Sequence, residues 1–388
     1  MAQVSVESRE LIERLIAFDT TSRNSNLELI EYIRDYLKGL GVESELVYDA
    51  GGAKANLYAT LGPTDRGGIA LSGHTDVVPV DGQAWTRDPW KVVEQDGRLY
   101  GRGTCDMKSF IAICLAWAPR FLEKARSLPI HFCFTYDEEV GCLGVRPLLA
   151  HLASKSVRPR MAIIGEPTSM QVVTGHKGKL SLAAHFRGLE CHSALAPQGV
   201  NAVEYAARLI VMLSDMGRRK AKEGPFDHAY DIPYSTVHTG LVAGGTALNI
   251  VPKDCRFEFE YRYIPSEDPH TLLQEAVDYA QQVLLPQMQA VFPEAAIEIE
   301  ETSSFSALNV PDDHEVVQLA KALTGANSTT TVAFGTEAGL ISDAGIPAVV
   351  CGPGNIEQAH KPDEFISLEQ LALCEAFMDR LCERIAKD

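Results

Sequence analysis

Two histidines and several carboxylates in this chain stand just past short apolar runs. In LSGHTD, His74 and Asp76 follow Ile69–Leu71, and in FTYDEE, Glu138 and Glu139 follow Ile130–Tyr136. In IIGEP, Glu166 follows Met161–Ile164, and in GPGNIEQAHKPDE, His360 lies on the loop after a stretch that Cys351 closes. Each pattern reads as strand, loop, then functional group, and open α/β sheets bind ligands outside the carboxyl ends of their strands. Asp106, in YGRGTCDMKSF, stands immediately before a long helical pattern. Two imidazoles (His74, His360) and three carboxylates (Asp106, Glu139, Glu166), with no thiolate among them, suit a pair of divalent ions such as Zn²⁺, Co²⁺ or Mn²⁺. Asp106 is able to bridge such a pair. The adjacent Glu138 is left to move a proton, and Asp76, two residues after His74, can orient its ring. That set is what metal-assisted hydrolysis needs: Lewis acids, an activated water and a general base.

Singly, each residue has a plainer reading. Asp106 could cap a helix, Glu166 could mark the turn at Pro167, a lone histidine could be a satisfied loop residue, and Glu138-Glu139 a solvated turn. Their joint occurrence is what carries the metal reading. Rival chemistries lack their marks. A thiol hydrolase would need Cys105 or Cys191 beside a histidine, but the adjacent Cys191 and His192 point apart on a strand or loop, and buried free cysteine is usually a small hydrophobe. The serine signature G-x-S-x-G is absent. His314-Glu315 lacks the second histidine of H-E-x-x-H, and Gly101-x-Gly103 lacks the third glycine of a dinucleotide fingerprint.

The elements that must position these groups fall into two rhythms. The first alternates helices and strands. Ser5–Phe18 and Leu27–Leu40 are amphipathic, Gly41 ends the second, and Asp96-Gly97 makes a tight hairpin between Trp90–Val93 and Arg98–Tyr100. Met107–Lys124 is a strong helix, and the strands are Asn56–Leu61 and the runs already named. From Lys179 the order becomes β-α-β-β-α-β: Leu180–Phe186, Asn201–Met216, Ser235–Val242, Arg256–Tyr263, Pro269–Leu285 and Ala296–Glu301. That is a ferredoxin-like unit. The first rhythm then resumes with Asp313–Leu323, Ala348–Cys351 and Leu368–Ile385. We therefore expect an α/β catalytic domain over 1–178 and 304–388, interrupted by an α+β domain over 179–303.

Composition bounds the partners. The 388 residues carry 35 basic and 52 acidic side chains, a formal charge of −17, which disfavours nucleic acid or an anionic membrane surface. Nine cysteines without a C-x-x-C pair fit reduced thiols in a cytosol. The N-terminus lacks the unbroken apolar core of a signal peptide, and no run could span a bilayer. A cytoplasmic protein is expected.

The ordered motifs SGHTDVVP, GRGTCDMK, TYDEEVG, IIGEPTS, HKGK, CHSA and GPGNIEQAHKPDE resemble the co-catalytic dizinc deacylases and exopeptidases over nearly the whole chain. WTRDPW, GHKGKL, GVNA, GTEA and QAHKPDE are most similar to the branch that deacetylates an acetylated diamino acid. Branches acting on succinylated diamino acids, or on acyl amino acids broadly, are the alternatives. The resemblance implies a mixed-sheet metal-hydrolase domain with an inserted lid, and an acyl amino acid as substrate. It implies two metal ions, Zn²⁺ first and Co²⁺ as the alternative. His74 and Glu166 would hold one, Glu139 and His360 the other, with Asp106 bridging, Glu138 as general base and Asp76 as the partner of His74. His192, in GLECHSALAPQG, would reach a neighbouring subunit's site and stabilise the oxyanion, which implies a homodimer through the lid. Arg262, in FEFEYRYIP, would receive the substrate carboxylate; Glu260 stands two places before it, where the family more commonly has aspartate. Beside the resemblance, Glu337 in FGTEAG is our candidate partner for a substrate ammonium, its plainer reading being a solvated loop acid. A non-catalytic protein on the same scaffold would have lost a ligand or the base, and none is missing.

Overall fold

The computed structural model describes residues 4–387. The chain divides into two compact units. One comprises the chain up to Gly175, Leu308–Thr331 and the chain from Thr336 onward; the other comprises His176–Ala307 and Val332–Gly335. The second unit is wider than the 179–303 read from the pattern, and it takes the short segment Val332–Gly335 as well.

The first unit opens with α1 (Val6–Ile16) and α2 (Leu27–Gly39), whose buried residues recur three and four apart: Leu11, Ile12, Leu15 and Ile16, then Leu29, Ile30, Ile33 and Leu37. The Ser5 side chain accepts from the Ser8 N–H at the start of α1, and Gly41 leaves α2 at φ 79°. Strands β1 (Ser44–Tyr48), β2 (Ala55–Leu61) and β3 (Ile69–His74) follow. Next, β4 (Val93–Gln95) and β5 (Arg98–Tyr100) close a hairpin across Asp96 and Gly97, at φ 51° and 72°, the paired positive values of a type I′ turn. Then come α3 (Lys108–Lys124), β6 (Ile130–Thr135), α4 (Val145–Ala153), β7 (Met161–Pro167) and β8 (Val173–His176).

The second unit runs β9 (Gly178–Arg187), α5 (Ala202–Glu223), β10 (Thr236–Gly244), β11 (Asp254–Tyr263), α6 (Pro269–Asp278), α7 (Leu285–Gln289) and β12 (Ala296–Phe305). Its antiparallel sheet has the order β10-β11-β9-β12, the ferredoxin-like arrangement. Alternation buries Leu180, Leu182, Ala184 and Phe186 of β9 with Phe257, Phe259 and Tyr261 of β11 in one core with Leu209 and Leu213 of α5 and Leu272 and Ala276 of α6. The pattern predicts one helix over Pro269–Leu285; the structure has a π-helical stretch, Tyr279–Leu284, between α6 and α7. Pro286, at the start of α7, has no N–H to continue the α ladder.

The first unit resumes with β13 (Leu308–Asn309), α8 (Glu315–Thr324), β14 (Thr330–Val332), α9 (Ala338–Asp343), β15 (Ala348–Gly352), β16 (Phe365–Ser367) and α10 (Leu368–Ile385). The main sheet has the order β1-β2-β6-β3-β7-β15-β8-β13, with β14 paired to β8. Its middle, β6-β3-β7-β15, is parallel, while β1-β2, β2-β6 and β15-β8 are antiparallel. The parallel strands are buried along their whole length, as a sheet covered on both faces requires. Among the described residues no helix is long and apolar enough to cross a membrane.

Candidate metal centre

Because β6, β3, β7 and β15 are parallel, their carboxyl ends share one edge. In register, Ser72 of β3 faces Ile164 of β7 and His74 faces Thr135 of β6. His74 and Glu166 each lie two residues beyond the first of these pairs, so the ladder itself brings them level. Glu138 and Glu139 follow β6, and His360 lies on the loop after β15.

Asp106 arrives from the other direction, at the start of α3, through a cis peptide to Met107. Two glycines let that end of α3 approach. A Cβ at Gly73 would meet Met107 Cε at 2.6 Å, and one at Gly165 would meet the Phe110 ring at 2.1 Å. Each glycine directly precedes a candidate ligand, His74 or Glu166. Small size here is therefore a condition for placing Asp106 among the strand ends.

The resulting cluster is tight. His74 Nε2 lies 3.0 Å from Asp106 Oδ1 and 3.6 Å from Glu166 Oε1. His360 Nε2 lies 3.2 Å from Asp106 Oδ2 and 3.0 Å from Glu139 Oε2. Asp106 thus offers one oxygen to each imidazole. His74, Asp106 and Glu139 bring ligand atoms within 4.8 Å of one another, and so do His74, Glu138 and Glu166. His74 Nδ1 donates to the backbone carbonyl of Asp76 at 2.9 Å, which leaves Nε2 as the nitrogen able to bind a metal. The Asp76 carboxylate accepts from the Glu138 and Glu139 N–H groups at 3.1 and 3.3 Å and from the Ser22 hydroxyl at 2.7 Å. It therefore holds the turn that carries both glutamates.

The electrostatics call for added positive charge. Desolvation, reinforced by repulsion from Asp106, pushes the Glu166 carboxyl well up and that of Glu139 to about 7. Glu138 is likewise pushed well up by desolvation and by Glu139, Glu337 and Asp106. The neighbouring carboxylates hold the His74 imidazole well above its ordinary range, and Asp106 and Glu139 raise His360 to about 10. Glu139 Oε1 is buried without a hydrogen-bond partner. Converging carboxylates with an orphaned oxygen, two imidazoles and no thiolate fit divalent cations of the zinc type.

Residues 70–384 match Peptidase family M20/M25/M40. The chain belongs to this family. It is 38% identical over 378 residues to the acetylornithine deacetylase of Myxococcus xanthus, covering 96% of each chain. To that of Proteus mirabilis it is 37% identical over 384 residues, covering 96% of this chain and 95% of the relative. Among solved structures, Bacillus subtilis YXEP, a dinuclear metal-binding M20 peptidase, superposes with a TM-score of 0.68 at 16% identity, covering 98% of each chain. This M20 chain is accordingly a metal-dependent amide hydrolase with an α/β mixed-sheet fold.

Around the M20 centre stands a residue that the motifs contain but to which sequence reasoning assigned no role. Glu364, four residues after His360, is buried and accepts from the N–H groups of Gly103, Cys105 and Asp106 at 3.1, 2.8 and 3.0 Å. Its other partner is the buried Arg102 guanidinium at 2.7 Å. Glu364 therefore ties the Asp106 loop to the His360 loop. The usable signal was an acid closing QAHKPDE next to a ligand, in a loop where acids are ordinarily solvated.

The remaining candidates lie apart in character. Glu337 is 1% exposed, so it is no solvated loop acid; desolvation raises its carboxyl to about 7, and Oε1 has no partner. His192 and Arg262 belong to the second unit. His192 is exposed, and its Nδ1 accepts from the Ala194 N–H at 3.1 Å. Arg262 Nε pairs with Glu260 at 3.0 Å, and the guanidinium lies 5.9 Å from the centre of the Phe305 ring.

Proposed function

We propose that this chain hydrolyses N²-acetyl-L-ornithine to L-ornithine and acetate, a cytoplasmic step of arginine biosynthesis. The observation that carries this reading is the near-full-length similarity, at 38% identity, to a relative named acetylornithine deacetylase. We assign catalysis to residues 1–178 and 304–388 and the lid and dimer contacts to 179–303. All nine cysteines are free, in keeping with a reducing compartment.

In this reading His74 and Glu166 would hold one ion and Glu139 and His360 the other. Asp106 would serve both, a reading supported by its two oxygens facing separate imidazoles. Zn²⁺ is the ion we assign, with Co²⁺ as a substitute, on the nitrogen-and-oxygen donor set. Bound there, the ions would supply Lewis acidity, making a water acidic near neutral pH and drawing charge from the acetyl carbonyl.

Glu138 takes the proton of the attacking water and returns it to the departing amine, serving first as base and then as acid. Asp76 keeps Glu138 in place through the turn it caps. His192, whose Nδ1 is an acceptor, carries its neutral-form proton on Nε2 and donates it as a hydrogen bond to the oxyanion of a neighbouring subunit's substrate. Arg262 presents a planar fork to the α-carboxylate. Glu337 supplies the carboxylate for the side-chain ammonium: its buried, unpartnered Oε1 is the kind of acceptor that a desolvated cation complements. The succinylated alternative would recruit Lys177 and Lys179, of which the Lys177 ammonium donates to the Tyr234 carbonyl at 2.6 Å.

The test is kcat/KM for acetylornithine, acetylmethionine and succinyl-diaminopimelate with metal-replete protein. Acetylornithine is expected to lead. Preference for the succinylated compound, or equal rates on both acetyl amino acids, overturns the substrate assignment.

A further inference from the structure

The turn that carries Glu138 contains an unusual residue. Asp137 and Cys142 bracket it, both at positive φ, 53° and 54°. That left-handed conformation is uncommon for side chains other than those of glycine, asparagine and aspartate. Asp137 accounts for itself by pairing with Lys54 at 2.5 Å. Cys142 occupies a position that the backbone would yield more readily to glycine, and glycine already stands beside it at 141.

What the thiol does there is local and specific. Cys142 is fully buried, and its Sγ lies 3.4 Å from Glu138 Oε1 as a hydrogen-bond donor. The Cys142 N–H also donates to the Glu138 carbonyl at 2.8 Å. One residue thus grips Glu138 at both its backbone and its carboxylate. Asp106, Glu139 and Glu166 each face an imidazole nitrogen at 3.0 to 3.6 Å, whereas Glu138 is met by a thiol. The difference suits a base. A thiol is a weak donor, so it can restrict the rotamers of a carboxylate without drawing off its capacity to accept a proton. An ammonium or guanidinium at the same place would hold Glu138 more firmly and make it a poorer base.

We propose that Cys142 is a positioning residue for Glu138, its thiol fixing the carboxylate in the orientation that meets the attacking water. The inference rests on the reading of Glu138 as the general base. A thiol that merely fills space makes the opposite forecast for two substitutions. Cys142→Gly relieves the positive φ but deletes the donor, whereas Cys142→Ser keeps a donor but buries a hydroxyl. If the thiol positions Glu138, the glycine variant loses kcat by roughly 2–5-fold with KM and metal content unchanged, and the serine variant stays close to wild type. If it only packs, serine is the worse of the two, and that order overturns the inference.

A second readout does not depend on turnover. The S–H stretching band lost in the wild type minus Cys142→Gly infrared difference spectrum should move to higher frequency when Glu138→Gln removes the acceptor's charge. An unmoved band also overturns the proposal. The layers separate cleanly. Loss of turnover in Glu138→Gln with Cys142→Gly as fast as wild type removes the inference alone. Full turnover in Glu138→Gln removes the base assignment and the inference with it.

Discussion

Glu364 and Arg102 form a pair in which both side chains are 1% exposed, and at the residue scale this pair explains how two distant loops come to share a candidate cation site. Removing one partner of a buried ion pair leaves an uncompensated charge and costs about 3–5 kcal/mol. Glu364→Gln is milder, because the amide oxygen can still accept from Cys105 and Asp106. It should fold, yet release divalent ions roughly 10–100-fold more readily, the size seen when a group orienting metal ligands is lost. Titration with a competing chelator measures this, and an unchanged affinity would show that the loops hold their places without Glu364. Residue types could name the candidate metal ligands because His and Glu past apolar runs are chemically distinctive. They could not give Glu364 or Cys142 a role, since what those residues do depends on which backbone N–H or carboxylate lies opposite.

Elements place these residues through close approach. Gly165 lets Phe110 of α3 lie against β7, and a methyl group there would have to displace an aromatic ring that contributes to a packed core. Gly165→Ala should therefore destabilise the protein by about 1–3 kcal/mol and weaken metal binding by moving Asp106. Gly39→Ala, at the end of α2 with nothing within 4 Å of the added carbon, serves as the control. Equal melting temperatures for the two variants would discount the close approach. A second expectation concerns the pairing of β2, β3 and β6. His131 of β6 is buried, accepts the Gly68 N–H on Nε2 at 3.0 Å, and meets the Tyr58 hydroxyl through Nδ1 at 2.9 Å. Burial pushes its imidazole from 6.5 down to about 4. A depressed imidazole binds fewer protons folded than unfolded, so its contribution is fully present above 6.5 and is lost as pH falls from 6.5 to about 4. The loss is at most roughly 3 kcal/mol. Urea unfolding at about pH 7.5 and 4.5 should show a smaller drop in His131→Gln than in wild type; equal drops would contradict it.

At the scale of the whole molecule, the proposed chemistry needs a second chain. All the candidate metal ligands belong to the first unit and His192 to the second, and we assign His192 to a neighbour's site. A His192→Ala chain mixed with a Glu138→Gln chain should then form heterodimers with one intact composite site in two. Activity should rise well above that of either variant alone. Absence of recovery, with heterodimers demonstrated by mass, would return His192 to its own subunit. On the second unit Leu241 and Val242 of the edge strand β10, and Leu248 beyond it, are exposed at 64%, 58% and 102%.

By itself the sequence determined the element types, the ferredoxin-like order of the inserted unit, and the residue classes of the centre. Those follow from local periodicity and from side-chain chemistry. Apolar residues every second position in β9 and β11, or three and four apart in α1 and α2, need no tertiary information to be read. Tertiary structure alone decided the parallel register that sets His74 level with Glu166, the approach of α3 through Gly73 and Gly165, and the burial of Glu337. It also decided that Asp76 meets His74 Nδ1 through its backbone carbonyl at 2.9 Å, with its carboxylate 3.5 Å from the same nitrogen, while that carboxylate also holds the Glu138 turn. These are contacts between residues far apart in the chain, and spacing along a sequence carries no record of distance across a sheet.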